Sequence, residues 1–213
     1  MTTDGLGREQ ILRGAIELLD AEGVAGLSMR KLGTRLGSGA TSIYWYVKDK
    51  DTLVALAGDE VFGELELPDP GRAGWRDAAA ASAESLRAVM VRHPWLVPVF
   101  STHAVYGPNI ARYQEHSLGV FETAGFTGPD LDRAGSALFS YVLGAAHGEG
   151  APGDTHPDRD AEAIARGREV AAAFPRVLAR YDALAASDPQ QVTDESFAFG
   201  LEVVLDGLAA RLA

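Results

Sequence analysis

Two short helical stretches joined by glycine hold the residues best suited to meet a nucleic acid. Ser28 is a candidate N-cap for the first, and Leu32 and Leu36 follow one turn apart on a single face. Gly37-Ser38-Gly39 breaks that helix, and a second one is expected from about Ala40 to Val47, with Ile43 and Val47 turned inward. Two helices across a short glycine-containing turn make a helix-turn-helix, whose second helix enters the DNA major groove while the first crosses the backbone. The second helix offers Thr41, Ser42, Tyr44, Trp45 and Tyr46, with Lys48 and Lys50 just past it. Arg30, Lys31 and Arg35 lie on the first. Hydroxyls and Arg can read base edges, whereas Lys, Tyr and Trp suit phosphates and sugars.

The competing reading makes Tyr44-Trp45-Tyr46 a piece of core and the five bases a solvated face. Consecutive residues on a helix point about 100° apart, so three aromatics in a row cannot all be buried in one small core. At least one should be exposed, and an exposed aromatic flanked by lysines suggests a contact surface.

Charge sharpens the picture. The 213 residues carry 19 Lys and Arg against 30 Asp and Glu, a formal net charge of -11. Taken whole, that argues against a nucleic-acid partner. Residues 1–50, however, hold seven bases and six acids (net +1), which leaves 12 bases and 24 acids (net -12) for the remainder. Lys31, Lys48 and Lys50 are the only lysines. The chain thus has a basic head on an acidic body.

Composition removes other classes. Hydrophobic residues make up 46%, enough for a folded core. There is no cysteine, hence no disulfide, thiolate metal site or Cys nucleophile. No run approaches the roughly 18 apolar residues of a membrane span. The polar start MTTDGLGREQ has no apolar stretch of a secretory leader, so a cytoplasmic location is expected.

The pattern predicts an all-α fold. Apolar residues from Ile11 to Leu19 recur at helical spacing and imply a helix over about 7–22 that stops at Gly23. Asp49 should cap a fourth helix, striped by Leu53, Leu56, Ala57 and Val61. Leu67–Gly71 interrupts. Further helices are expected over about 75–92, 95–100, 108–124, 129–147, 161–186 and 193–212, with a surface loop over 148–160. The division is a helix-turn-helix domain at 1–50, a bridging helix four over about 49–66, and a larger domain at 67–213.

Leu27-Ser28-Met29-Arg30-Lys31-Leu32, the Leu36-Gly37 stop and Ser42-Ile43-Tyr44-Trp45-Tyr46-Val47-Lys48-Asp49-Lys50 resemble the DNA-binding domain of the TetR family of one-component repressors. Trp75-Arg76-Asp77, Ala124-Gly125-Phe126 and the run from Phe197 to Leu208 resemble the C-terminal domain of its tetracycline-repressor branch. The resemblance implies that Arg30, Thr41, Ser42, Tyr44 and Tyr46 face base edges or nearby backbone, and that Trp45, Lys48 and Lys50 hold phosphates. Met29, Ala40 and Tyr46 depart from the tetracycline repressor's residues, which puts the operator sequence in doubt but not the mode of binding.

The resemblance also implies a homodimer, a four-helix bundle made by about 129–147 and 193–212 of each copy. The apolar residues of the last helix (Phe197, Phe199, Leu201, Val203, Val204, Leu205, Leu208) fit, because they wrap round more of the helix than one neighbour covers. The middle helices would enclose a small-molecule pocket. Its candidate lining is Ser82, Leu86, Trp95, Phe100, His103, Tyr106, Ser117, Leu138 and Phe139, any of which could instead be ordinary core.

The tetracycline repressor reads its ligand through a magnesium ion held by a histidine and a carboxylate. Those positions fall at about Ser101 and Gly148, and its polar ligand anchors become Glu66 and Ser82. No metal is therefore expected, although His103 and Glu149 lie nearby, and the effector should be a different hydrophobic or aromatic compound.

Other signals carry little. Gly148–Gly153 matches GxGxxG, but it follows a helix, contains Pro152 and sits among charges, whereas a dinucleotide loop needs a preceding strand. His93, His103, His116, His147 and His156 form no ligand pattern. No nucleophile elbow or Walker loop occurs. No catalytic residue or cofactor is assigned. The reading is a ligand-responsive repressor released from a palindromic operator by a small molecule. The alternative is a small-molecule-binding helical protein whose basic head contacts a protein partner.

Overall fold

The computed structural model describes residues 7–149 and 157–212. Among them there is no strand, and no helix is long and apolar enough to cross a membrane. Helices α1 (Arg8–Gly26), α2 (Met29–Arg35) and α3 (Ala40–Tyr44) form the head. Helix α4 (Lys50–Phe62) leaves it for the body. The body comprises α5 (Pro70–Ala73), α6 (Trp75–Arg92), α7 (Leu96–Thr102), α8 (Pro108–Ala124), α9 (Pro129–Glu149), α10 (Pro157–Ala171), α11 (Pro175–Ala185) and α12 (Pro189–Ala209).

Ile11, Ala15, Leu18 and Leu19 of α1 close on Leu32, Ile43, Val47 and Leu53, all buried. The helical span of α1 reaches Gly26, yet it is kinked at Gly23, whose φ of 66° is open to glycine and unfavourable for residues with a side chain. The stop expected there is thus a bend. Ion pairs from Arg35 to Glu17 and from Lys31 to Glu22 fasten α2 to α1. Head and body meet at Asp20, whose carboxylate accepts from the Trp95 indole N–H at 2.7 Å and lies 2.7 Å from His93 Nδ1.

In the body, α6 and α9 pack together, with α8 on one side and α12 on the other. Arg87 of α6 reaches Glu149 of α9 through two nitrogens (2.6 and 3.0 Å) and Asp194 of α12 at 2.6 Å, with its guanidinium over the Phe197 ring. The Tyr141 hydroxyl donates to the Phe197 carbonyl at 2.6 Å, and its ring leaves no room for a Cβ at Gly200.

Several boundaries differ from expectation for identifiable reasons. Helix α9 continues to Glu149, which Arg87 holds, and α10 starts at Pro157, so both ends of the expected 148–160 loop are helical; Gly150–His156, including most of the GxGxxG match, lie outside the described residues. The single helix expected over 161–186 is two, because Pro175 has no N–H to continue α10 and instead starts α11 at its first position. Helix α12 begins at Pro189, since Asp188 accepts the Gln190 N–H at 2.9 Å and acts as N-cap. The Leu67–Gly71 interruption holds the single turn of α5, capped by Asp69.

Candidate nucleic-acid interface and ligand cavity

The turn of the head is built as its residues suggest. Ser28 Oγ accepts the Lys31 N–H at 3.2 Å, Gly37 takes φ 62°, and Ile43 and Val47 are fully buried. With α3 pinned on that side, its other residues face solvent. Thr41 is exposed, Ser42 half-buried, and Tyr44, Trp45 and Tyr46 are 53%, 86% and 49% exposed. The one exposed aromatic demanded by helical geometry is therefore three. Helix α3 ends at Tyr44, so Trp45 and Tyr46 project from the turn that follows it. Met29, one of the departures from the tetracycline repressor, is buried in the core; the side chain of Ala40 lies outside the described residues.

The five bases do not act alike. Lys31 and Arg35 are spent on α1 carboxylates. Lys50, expected to hold a phosphate, is half-buried and donates from Nζ to the Val24 carbonyl in the last turn of α1 at 2.6 Å. It satisfies a carbonyl with no helical partner, where the helix dipole also favours a cation. Arg30 and Lys48 are exposed, and no ion pair among the described residues engages either. Asp49, between Lys48 and Lys50, accepts the Thr52 N–H at 2.8 Å and caps α4. Its hydrogen bonds with Thr52 hold the carboxyl below the ordinary aspartate range. That acid is committed to the helix and still charged, so the open cation beside α3 is Lys48.

In the body, a cavity of about 640 Å³ opens between α4, α8 and α9. Phe62 of α4, Phe100 of α7, Phe139 of α9 and Tyr113 of α8 form a closed ring of contacts along its wall. Centroids lie 5.3–6.2 Å apart, and three of the four contacts are edge-to-face, as the quadrupoles of aromatic rings prefer. Gln114, Ser117, Ser136, Ser140 and Asp132 supply its polar groups. Behind Tyr113 and Ser117 a narrow pocket, with room for about one water, runs between Ser82, Leu86, Val120 and Leu138. There the Ser82 hydroxyl, which donates to the Ala78 carbonyl, lies 2.8 Å from His116 Nε2. Burial, with Arg112 nearby, lowers the His116 pKa, so its imidazole is neutral at pH 7. Burial pushes the Tyr113 phenol up to about 12, which keeps its proton in place.

Of the residues expected at the pocket, Phe100, Ser117 and Phe139 line the wide cavity, and Ser82, Leu86, Ser117 and Leu138 line the narrow one. Three lie elsewhere. Trp95 is buried at the head–body joint with its N–H on Asp20; His103 Nε2 faces Asp51 at 3.6 Å; Tyr106 projects into solvent. Sequence reasoning missed Phe62, Tyr113, Gln114, His116, Asp132, Ser136 and Ser140. A usable signal was present for some. Asp132, Ser136 and Ser140 fall at successive i, i+4 steps on α9, a polar row beside the buried stripe of Leu131, Leu138 and Val142.

A magnesium site of the tetracycline-repressor kind does not fit these residues. Glu149 is tied to Arg87 and His103 faces Asp51, so the two nearby ligands do not converge. Among the described residues no three acid or imidazole groups cluster at metal-binding distance.

Comparison with known proteins agrees with this layout. Residues 11–57 match the family model for bacterial regulatory proteins of the tetR family, and 67–212 match the tetracyclin repressor-like C-terminal domain. A helix-turn-helix-type transcriptional regulator of Saccharopolyspora erythraea is 42% identical over 144 residues, covering 68% of this chain and 61% of that one. The transcriptional repressor DrrR1 of Streptomyces coeruleorubidus is 33% identical over 96% of this chain and 78% of its own. The structure of ActR from Streptomyces coelicolor in complex with actinorhodin superposes with a TM-score of 0.80, at 26% identity and 98% and 99% coverage of the two chains. The chain belongs to the TetR family of DNA-binding transcriptional regulators.

Proposed function

We propose that this protein is a dimeric repressor that holds a palindromic operator through two copies of α3 and lets go when a hydrophobic or aromatic small molecule fills the body cavity. The observation that carries the reading is the double use of α4. Its first residue, Lys50, is anchored to α1 of the head, and its last, Phe62, forms part of the cavity wall. A ligand that displaces Phe62 therefore moves the helix on which the head is mounted. The division follows: residues 1–50 read DNA, α4 bridges, and 67–213 sense and dimerise.

Arg30, Thr41, Ser42, Tyr44 and Tyr46 meet bases and nearby backbone, and Trp45 and Lys48 meet phosphate and sugar. Two heads reading one palindrome must stand about 34–36 Å apart, one helical turn of DNA. Effector and operator then oppose each other reciprocally, since a ligand shifts the equilibrium only by its preference for the DNA-free form. The dimer face is α9 with α12, whose outer side leaves Phe199 and Val203 in solvent in the single chain. ActR, solved with actinorhodin, has this fold, and an aromatic effector suits the ring-lined cavity here. The site of action is the cytoplasm, where bacterial DNA lies.

A gel shift with the DNA upstream of the protein's own gene tests the proposal. Selective, salt-sensitive retention is expected. Retention indifferent to sequence and salt overturns it and returns the head to a protein partner.

A further inference from the structure

We infer that the body cavity selects an effector that is both planar-aromatic and positively charged; this rests on the ligand-responsive reading above. The walls offer aromatic rings, and among the described residues Asp132 is the one formally charged residue that lines the space. Cations near it are already committed. Arg112, on the α8 wall, gives Nη2 to the carbonyls of Phe62, Gly63 and Leu65 at 3.2–3.3 Å. Arg133, next to Asp132 in the chain, turns to Asp130 at 2.7 Å. His116 in the deeper pocket is neutral and hydrogen-bonded to Ser82.

An anionic ligand would meet no base among the described lining residues to offset the loss of water around its charge. A cation meets the opposite situation. The exposed Asp132 carboxylate lines the cavity, Ser136 and Ser140, exposed as well, follow it along α9 at one-turn steps, and the Tyr113 and Phe139 rings of the wall attract positive charge through their quadrupoles. The body as a whole, at net -12 beyond residue 50, raises the local concentration of cations and depletes anions. The volume of about 640 Å³ is that of a drug-sized molecule.

A matched pair of dyes separates charge from shape. Rhodamine 6G and fluorescein share one tricyclic xanthene core with opposite charges. Fluorescence anisotropy on the full-length protein without DNA gives each affinity. Rhodamine 6G should bind at least about tenfold more tightly than fluorescein, Asp132→Asn should remove most of that margin, and Asp132→Glu should restore it. Thermal unfolding of both variants checks that they remain folded. Equal or reversed preference in the wild type, a margin untouched by Asp132→Asn, or no binding of either dye overturns the inference. The operator gel shift, run without dye, stands or falls separately. Operator binding with no dye preference sinks only the charge assignment, whereas no operator binding sinks the repressor reading whatever the dyes do.

Discussion

Asp59 and Arg112 cap each other's helices. From α4, the buried Asp59 carboxylate accepts the Ile110 N–H at the start of α8 at 2.9 Å; from α8, the Arg112 guanidinium donates to the carbonyls of Phe62, Gly63 and Leu65, at and just past the end of α4. Each side chain supplies what the facing terminus lacks, an acceptor for free N–H groups and a donor for free carbonyls. The fit is tight, since a Cβ at Gly107 would come within 2.2–2.5 Å of the Asp59 carboxylate. These bonds tie the α8 side of the cavity wall to the helix that carries the head.

Arg112→Met should loosen that coupling while keeping most of the side chain's packing. The variant is expected to bind operator nearly as well as the wild type but to need more effector for release, a loss of coupling of about 0.5–2 kcal/mol. Operator titrations at several effector concentrations measure it. An unchanged release curve would take the reciprocal cap out of the signal path.

The two lysines that flank Asp49 should behave differently although the sequence treats them alike. Lys48→Ala removes an open cation from each head, and should weaken binding to all sequences and reduce the log–log salt slope by about 2 for a dimer, near 0.9 per phosphate contact. Lys50→Ala should leave the slope close to wild type and lower thermal stability instead, because its ammonium is on the Val24 carbonyl. The same slope change for both variants would return Lys50 to the DNA face.

That contrast shows what the sequence could and could not reveal. Ser28, Gly37 and the Ile43/Val47 pair define the helix-turn-helix locally, so their roles were legible from spacing. The fate of Lys50 depends on where α1 ends, 26 residues away, and that of Trp95 on Asp20, 75 residues away. Neither distance is encoded in a local period. The cavity was legible as chemistry, in Phe100, Ser117 and Phe139, but its ring closes only when α4, the bridging helix, delivers Phe62. Pro175 was in plain view, and its lack of an N–H suffices to split the helix expected across it.

His116 should leave a signature in stability against pH. Its pKa in the folded protein is depressed by burial and by Arg112, so above the unfolded value near 6.5 both states are neutral and it contributes no pH dependence. As pH falls below that value the unfolded chain takes up a proton that the folded chain resists, and stability declines until the folded pKa is reached. His116→Gln, which can still hydrogen-bond Ser82, should flatten this part of the profile. Urea midpoints at pH 7.5 and 5.5 test it, and equal drops in both proteins would assign the dependence to other groups.

The outer face of α12 gives the firmest test of assembly. Phe197, Leu201, Leu205 and Leu208 point into the body, while Phe199 and Val203, four residues apart, are 74% and 55% exposed. Exposed apolar side chains in a helical row mark a face that meets a partner, and the second copy is the partner a palindrome requires. Replacing both with Asp puts two like charges opposite two more across a two-fold axis, since a symmetric interface meets itself. Sedimentation should then report a monomer where the wild type is a dimer, with the far-UV helical signal retained because neither residue contributes to the core. Operator affinity should fall much further than either single head's contacts explain, since one α3 reads only half of the site. A Phe199→Asp/Val203→Asp protein that stays dimeric would move the interface off this face of α12.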